Sequence, residues 1–336
     1  MVDTQTLTLA EIEDLSFRAL VAAGTSEDNA RPLAAATAAT EADGVASHGL
    51  AYIPIYCEHV QCGKVDGQAK PSLTRPRPSV VAVDAATGFA HSAIDLGFEA
   101  LIPAAREQGV AVLSIRNSYN CGVLGYHTYR LAQQGLLGIG FTNAPASIAP
   151  SGGAKPVVGT NPFSIAAPGV DGQPAILIDQ SASTIAKSEV MKHAREGNPI
   201  PVGWALDADG NPTTDPNVGL KGSMAPSGGY KGVGVALLTE IMAAAMTGAT
   251  LGIDASPFSG TAGGPPKTGQ FFIAIDPGAT AGDAYSTSVV ALAQAIHQQE
   301  GAHLPGDGRR HKRLSAQKNG VAVNKATLAK IEAILS

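Results

Sequence analysis

Apolar residues recur at helical spacing near the start of the chain: Leu9, Ile12, Leu15 and Ala19 form one stripe. Thr8 precedes it and Glu11 follows three residues later, the pattern of a capping box, and Gly24 closes the stretch. A second helix is predicted from Ser26 to about residues 43–44, with Glu27 and Asp28 complementing the dipole in its first turn. A third is predicted to follow Ser47 and to end near Gly63. From Ser79 the period changes. Residues 80–83, 110–115 and 136–141 read as strands, and residues 91–108 and 123–134 as helices between them. Residues 144–168 are crowded with Gly and Pro, marking a long loop with a short strand at 163–167, and 175–178 reads as another strand. Residues 231–247 form a nearly all-apolar stretch, predicted to be a buried helix. A strand at 271–275, a helix at 284–299 and a basic helix after Pro305 complete the pattern. The alternation predicts a mixed α/β fold behind an N-terminal helical region.

Composition narrows the function classes. A net charge of −5 over 336 residues argues against a nucleic-acid surface. No basic segment followed by an apolar core opens the chain, and the apolar stretch at 235–249 carries Glu240 and is too short to span a bilayer. Cys57, Cys62 and Cys121 show no metal-binding spacing and suit a reducing cytoplasm, so no metal and a cytoplasmic location are expected. Only 15% charged residues with 39 glycines points to surface covered in an oligomer.

Six segments could carry chemistry. In Ser47-His48-Gly49 a hydroxyl adjoins an imidazole that titrates near neutrality, and Tyr52, four residues on, shares the face of the expected helix. As an alternative, Ser47 is a helix cap and His48 a surface residue. Asn117-Ser118-Tyr119-Asn120-Cys121-Gly122-Val123-Leu124 joins a strand to a helix whose N-terminal amides suit an anion such as a pyrophosphate; an ordinary glycine-containing turn reads equally well. Thr142-Asn143, Gly152-Gly153 and Gly159-Thr160-Asn161-Pro162 offer bare backbone and amide-reading side chains suited to a nicotinamide carboxamide. In the segment from Asp179, Gln180 and Ser181 to Glu189, Lys187 could anchor a carboxylate and Glu189 could polarise an imidazole, though an exposed charged helix start would look the same. Gly228-Gly229-Tyr230-Lys231-Gly232 sets a lysine at a helix N-terminus, which fits a phosphate contact. The run from Arg309 to Arg313 is either a solvated face or a phosphate clamp.

Neither a Gly-x-Gly-x-x-Gly fingerprint nor a Gly-x-Ser-x-Gly elbow is present, so neither a Rossmann domain nor an α/β-hydrolase is indicated. Taken in order, the motifs from Ser47-His48-Gly49 through Gly159-Thr160-Asn161-Pro162, Asp207-Ala208-Asp209-Gly210-Asn211-Pro212 and Gly228-Gly229-Tyr230-Lys231-Gly232 to Leu304-Pro305-Gly306-Asp307 resemble the second family of malate/L-lactate dehydrogenases. That family includes sulfolactate dehydrogenases and Δ1-piperideine-2-carboxylate reductases. The resemblance implies a non-Rossmann NAD(P)-binding fold on a largely antiparallel sheet flanked by helices, and a homodimer with the active site near the interface. It implies an N-terminal helical region (1–78) carrying the catalytic His and packing with the C-terminal part. A dimerisation core (79–116 and 232–336) and an NAD(P)-binding region (117–231) would complete the chain. His48 would be the proton donor, with Ser47 and Glu189 as its relay and Lys187 and Tyr52 at the substrate. The cofactor would meet Asn120, Cys121, Gly122, Val123, Leu124, Asn143, Thr160, Asp179, Gln180, Ser181, Tyr230, Lys231, Arg309 and Arg310.

Two positions depart from the family pattern: Tyr52 stands where an arginine usually reads the substrate carboxylate, and Asn120 where a histidine is common. The expectation is an NAD(P)H-dependent oxidoreductase interconverting a small 2-oxo acid and its 2-hydroxy acid, with NADP(H) favoured and NAD(H) possible. Reduction of a cyclic imino acid C=N bond is the alternative. An inactive cofactor-binding homologue is the third reading, resting only on positions 52 and 120.

Overall fold

Residues 3–336 are described by a computed structural model. β1 (Thr4–Leu7) leads into α1 (Leu9–Ala22) through the expected capping box: Glu11 N–H donates to Thr8 Oγ1 at 3.2 Å, and Thr8 N–H donates to Glu11 Oε2 at 2.7 Å. Ser26 caps α2 (Glu27–Ala42). The expected third helix is shorter than its pattern. Two 3₁₀ turns, Ala46–His48 and Leu50–Tyr52, precede α3 (Ile53–Gln61). Gly49 lies between the turns with non-helical ψ, and Pro54 sits in the first turn of α3, where its missing N–H costs nothing.

The chain then builds its sheet: β2 (Ser72–Arg77), β3 (Val80–Asp84), α4 (Ala90–Gln108), β4 (Val110–Ser118), α5 (Leu124–Gln133), β5 (Leu137–Thr142), β6 (Phe163–Pro168) and β7 (Pro174–Gln180). A small subdomain follows, with α6 (Lys187–Glu196), β8 (Ala205–Leu206), β9 (Pro212–Thr213), α7 (Pro216–Lys221) and β10 (Ser223–Met224). Next come α8 (Tyr230–Glu240), continued by a π turn (Ile241–Ala245), then β11 (Thr268–Ile275), α9 (Pro277–Thr280), α10 (Ala284–His297), α11 (Asp307–Asn319), β12 (Val321–Asn324) and α12 (Lys325–Leu335).

The main sheet has seven strands in the order β2-β3-β4-β11-β5-β6-β7. Among the described residues only β3 and β4 run parallel; the other neighbours are antiparallel. α4 and α5 cover one face, where Ile94, Phe98, Leu101 and Leu131 meet Leu113, Ile115 and Phe272. A second core joins the chain's two ends. β1 pairs antiparallel with β12, and Leu328 and Ile331 of α12 bury against Ile12, Leu20, Leu33 and Ile53. Neither closing element was expected after the basic helix. The apolar stretch at 231–247 is also less buried than its composition predicts: Leu237, Leu238 and Ile241 are about half exposed on α8 and its π turn, and Met246 just beyond is more so. The helix is apolar all round, but this chain covers only one side of it.

Candidate active site

α2 ends at Asp43, where Gly44 takes a left-handed φ of +72° and Val45 N–H returns to Thr40 O at 3.1 Å. His48 N–H then donates to Val45 O at 3.0 Å, and Leu50 N–H reaches back to Glu41 Oε1 at 2.7 Å. Leu50 and Ile53 plug into the N-terminal core, so the turn is anchored on both sides of His48. Glycine at 49 answers to space: a Cβ there would lie 2.1 Å from Glu41 Oε1.

Ser47 Oγ lies 3.0 Å from His48 Nδ1. No partner for Nε2 occurs among the described residues, so this nitrogen can face a substrate. The Tyr52 ring lies parallel to the imidazole, 6.0 Å between centroids and 2° between planes, and meets Tyr56 edge-on at 4.8 Å. Burial pushes the Tyr52 phenol up to about 12, so the ring offers a neutral hydroxyl where the family pattern has a cation. Tyr56 Oη donates to Asn120 Oδ1 at 3.0 Å, and Gly122 N–H donates to the same oxygen at 3.2 Å. The two departures from the family pattern are therefore coupled through one buried tyrosine. Asn120 Nδ2 is buried without a partner.

Burial also pushes the His48 imidazole below its ordinary range. The carboxylate of Asp179 acts in the opposite sense and the guanidinium of Arg309 reinforces burial. Asp179 is on β7, paired with Ser164 of β6, and Arg309 Nη1 holds its Oδ2 at 2.8 Å. One turn further along α11, Arg313 grips the buried Asp43 with Nε and Nη2 at 2.7–2.9 Å, its guanidinium 3.9 Å above the Tyr129 ring. Arg309 and Arg313 thus lie on one face of α11 and tie the His48 turn and β7 to the same helix.

The other expected site residues lie in several parts of the fold. Glu189 sits on α6 beside Lys192 at 3.2 Å and His193 at 3.9 Å. The basic run is split: Arg309 and Arg313 turn inward onto Asp179 and Asp43, while Arg310, His311 and Lys312 are exposed, Arg310 pairing with the exposed Asp171. Asn143 is turned inward, donating to Thr250 O at 3.0 Å and accepting from Gly269 N–H at 2.9 Å, so its amide is engaged by backbone rather than open to a ligand. Its neighbour Asn161 likewise binds Ala236 O and Glu240 Oε2. Lys187, the first residue of α6, has no ion pair among the described residues, and desolvation lowers its ammonium from the usual lysine range. Tyr230 and Lys231 open α8 in solvent, and Thr160 is half-buried. Ser181 Oγ lies 3.0 Å from Ser183 Oγ.

Two features fit a dinucleotide. A cavity of about 380 Å³ is lined by Phe163, Ile178, Asp179 and Gln180 on one side and by Gly306 and Arg309 on the other. It adjoins, through Asp179 and Gly125, the start of α5, whose N-cap Val123 supplies no side-chain acceptor. Cys121 and Leu124 are buried there; burial pushes the Cys121 thiol up to about 12 and leaves it neutral. The sequence reading missed Glu41, Asp43, Tyr56 and Gly125, and named Arg313 only as part of the basic run. Only the four-residue spacing of Arg309 and Arg313 signalled any of them.

A profile of the malate/L-lactate dehydrogenase family matches residues 7–332. The chain belongs to that family. Membership makes it an oxidoreductase, and the mostly antiparallel sheet agrees with the non-Rossmann fold expected of it. The chain is 43% identical over 307 residues to a (2R)-3-sulfolactate dehydrogenase (NADP(+)) of Chromohalobacter salexigens, covering 91% of this chain and 90% of the relative. It is 38% identical over 332 residues to a Δ1-pyrroline-2-carboxylate reductase of Ancylobacter novellus, covering 98% and 97%. The crystal structure of Δ1-piperideine-2-carboxylate reductase from Pseudomonas syringae superposes with a TM-score of 0.93 at 34% identity, covering 98% of this chain and all of that one.

Proposed function

We propose that this dehydrogenase-family protein interconverts a small 2-oxo acid and its 2-hydroxy acid, using NADP(H) in preference to NAD(H). The observation that carries the reading is the Ser47–His48 pair, anchored by Glu41. When bound, the reduced dinucleotide supplies the hydride to the substrate's C2. Everything else falls to side chains. His48 Nε2 gives its proton to the developing alkoxide. Ser47 Oγ accepts from Nδ1–H of the imidazolium and fixes the ring, the charge of Asp179 favours the imidazolium, and Glu189 is the relay acid that the resemblance implies. Tyr52 stacks on the ring and presents a neutral hydroxyl. Lys187, without an ion pair, is the candidate partner for the substrate's anionic group.

The cofactor preference rests on the NADP(+)-linked relative and on Arg310. Both partners in its pair with Asp171 are about half exposed, so the pair is weak and can be exchanged for a phosphate.

A second reading, reduction of a C=N bond in a cyclic imino acid, is supported by the aromatic wall of Tyr52 and Tyr56 in the absence of the family's arginine, and by the reductase relatives. The same proton delivery then yields an amine. The half-exposed apolar face of Leu237, Leu238 and Ile241 supports a homodimer. Free cysteines at 57, 62 and 121 fit a cytoplasmic location. Among the described residues no helix is long and apolar enough to cross a membrane.

The test is His48→Asn, assayed for NADPH and NADH consumption with pyruvate, oxaloacetate, sulfopyruvate and Δ1-piperideine-2-carboxylate. A loss of kcat by about 10²-fold or more with cofactor affinity retained is expected. Unchanged turnover removes His48 from the proton step, and the preferred panel member decides between C=O and C=N.

A further inference from the structure

Tyr52, at the start of α3, and Tyr56 and His59 within it share one helical stripe, and all three turn toward the segment that joins β4 to α5. Tyr52 stacks on His48, Tyr56 donates to Asn120, and His59 reaches Tyr119, the residue before Asn120. Neither His59 nor Tyr119 has a part in the proton or hydride steps, yet both ring nitrogens of this buried imidazole are engaged. Nε2 lies 3.1 Å from Gly260 O, and Nδ1 meets the Tyr119 hydroxyl. A carbonyl only accepts, so Nε2 carries the proton. Burial, reinforced by the Lys64 ammonium, pushes the imidazole below its ordinary range and keeps it neutral. Nδ1 is then the bare nitrogen, and Tyr119 Oη donates to it. Gly260 O comes from a segment that is itself tied down: the buried Lys64 donates through Nζ to Pro257 O at 2.6 Å, and the Phe258 ring meets that of Tyr119 at 5.5 Å. Tyr56 and Phe89 close two more sides of the Tyr119 ring, each at 6.0 Å, and Gln270 Nε2 of β11 donates to Tyr119 O at 3.1 Å. Tyr119 is 1% exposed, so without His59 its hydroxyl has no water to replace the lost acceptor.

We propose that His59 is a positioning residue for the reaction: bridging Gly260 O and the Tyr119 hydroxyl, it clamps the 119–122 turn against α3 and so sets where Asn120 stands beside Tyr56. This rests on the reading of Tyr52, Tyr56 and Asn120 as the substrate side of the site. His59 does not touch the substrate; it acts through Tyr119 and the peptide that joins Tyr119 to Asn120. Asn120 is sensitive to that peptide because its Oδ1 already serves two donors, Tyr56 Oη at 3.0 Å and Gly122 N–H at 3.2 Å. These two bonds orient the amide and leave its buried Nδ2 as the unpartnered donor. A turn that slips by a fraction of an ångström at Tyr119 loses one of the two bonds and re-aims Nδ2. The imidazole thus ties three separate stretches of chain together at one point: α3, the 119–122 turn and the segment before β11.

The experiment compares the wild-type protein with His59→Phe, Tyr119→Phe, the two combined, and His59→Gln. Steady-state kcat and KM are measured for NADPH and for the substrate that the wild-type protein prefers, urea unfolding checks that each variant is folded, and ¹⁵N NMR reads the His59 tautomer. The wild-type ring is expected to carry its proton on Nε2. Each single phenylalanine variant is expected to lower kcat/KM for the substrate by about tenfold to 10²-fold, with the substrate KM moving more than the NADPH KM. The combined variant should be no worse than the weaker single one, because both changes remove the same contact. His59→Gln should keep most of the wild-type kcat/KM, since its amide can donate to Gly260 O and accept from Tyr119. If His59→Phe does not fold, Tyr119→Phe, which loses only a hydroxyl, carries the comparison. Folded variants with kcat and KM within about twofold of wild type, losses that multiply in the combined variant, a rise in the NADPH KM alone, or a proton on Nδ1 would each overturn the proposal. Failure of the underlying reading shows separately: Asn120→Ala with unchanged kcat and KM removes that wall from the substrate site, while the His59 tautomer and the coupling of His59 to Tyr119 in urea unfolding persist.

Discussion

Replacing Gly49 with alanine tests whether the His48 turn depends on the approach of Glu41. The new Cβ would lie 2.1 Å from Glu41 Oε1, 2.5 Å from Cδ and 2.8 Å from Cγ. This carboxylate is buried, and its Oε1 accepts from Leu50 N–H at 2.7 Å, so it has no free volume into which to swing. Either the carboxylate leaves and the Leu50 N–H is stranded, or the turn shifts. An unpaired buried amide and an overpacked contact each cost on the order of 1–3 kcal/mol, which puts Gly49→Ala at roughly 2–4 kcal/mol of lost stability. His48 is the adjacent residue, and a displacement of about 1 Å at a reacting group lowers turnover by about 10²-fold. Urea unfolding reads the first effect and steady-state kcat the second. A double-mutant cycle sharpens the test. In a Glu41→Ala background the clash has no partner, so adding Gly49→Ala should cost little. Costs that simply add, or a Gly49→Ala protein with a wild-type urea midpoint and a kcat within about twofold of wild type, would refute the reasoning.

The buried pair His91 and His127, 5.4 Å apart between ring centroids and each with an unpartnered Nδ1, makes acid sensitivity a property of the core beneath α5. Burial drives His91 down to about 3 and His127 well below its ordinary value, so the folded protein holds both neutral. Their folded pKa values are depressed, so stability is fully present above about pH 6.5 and lost as pH falls toward 3. The slope is about 1.4 kcal/mol per pH unit for each histidine. Urea midpoints between pH 7 and 5 should fall accordingly, and His91→Phe should flatten the fall; an equally steep fall in that variant would show that other groups set it. For the proposed dimer, Ile241→Asp, which puts a charge on the half-exposed apolar face of α8, should shift sedimentation from dimer to monomer without lowering the melting temperature of the monomer.

Local signals were legible before the fold was known. The Thr8–Glu11 box, the start of the second helix near Ser26 and the strand at 80–83 needed only neighbours within a few residues, and each formed as read. Ser47 and His48 were legible for the same reason, since their contact spans one peptide. What escaped notice is bonded over distance. Asp43 meets Arg313 across 270 residues and Asp179 meets Arg309 across 130, and no periodicity records such partners. Glu189 was named the relay carboxylate by its place in a motif, which did not signal that its helix sets it beside Lys192 and His193. The exposure of α8 was hidden because an all-apolar stretch looks the same whether its own chain or a second one is to cover it.

The joining of β1 to β12 also bears on how the protein comes to exist. The core beneath the His48 turn draws on residues 12, 20, 33 and 53 and is closed by Val323, Leu328 and Ile331. During synthesis the first three helices leave the ribosome with their apolar faces open, and they stay so until some 270 further residues have followed them out. A chain released before residue 320 would carry Ser47 and His48 on a platform lacking one side. Such early, uncovered surface invites holding by chaperones and slows the final step to the pace of a very long-range closure. Ser47 and His48, made well before Val323, Leu328 and Ile331, are among the last groups to be set in place.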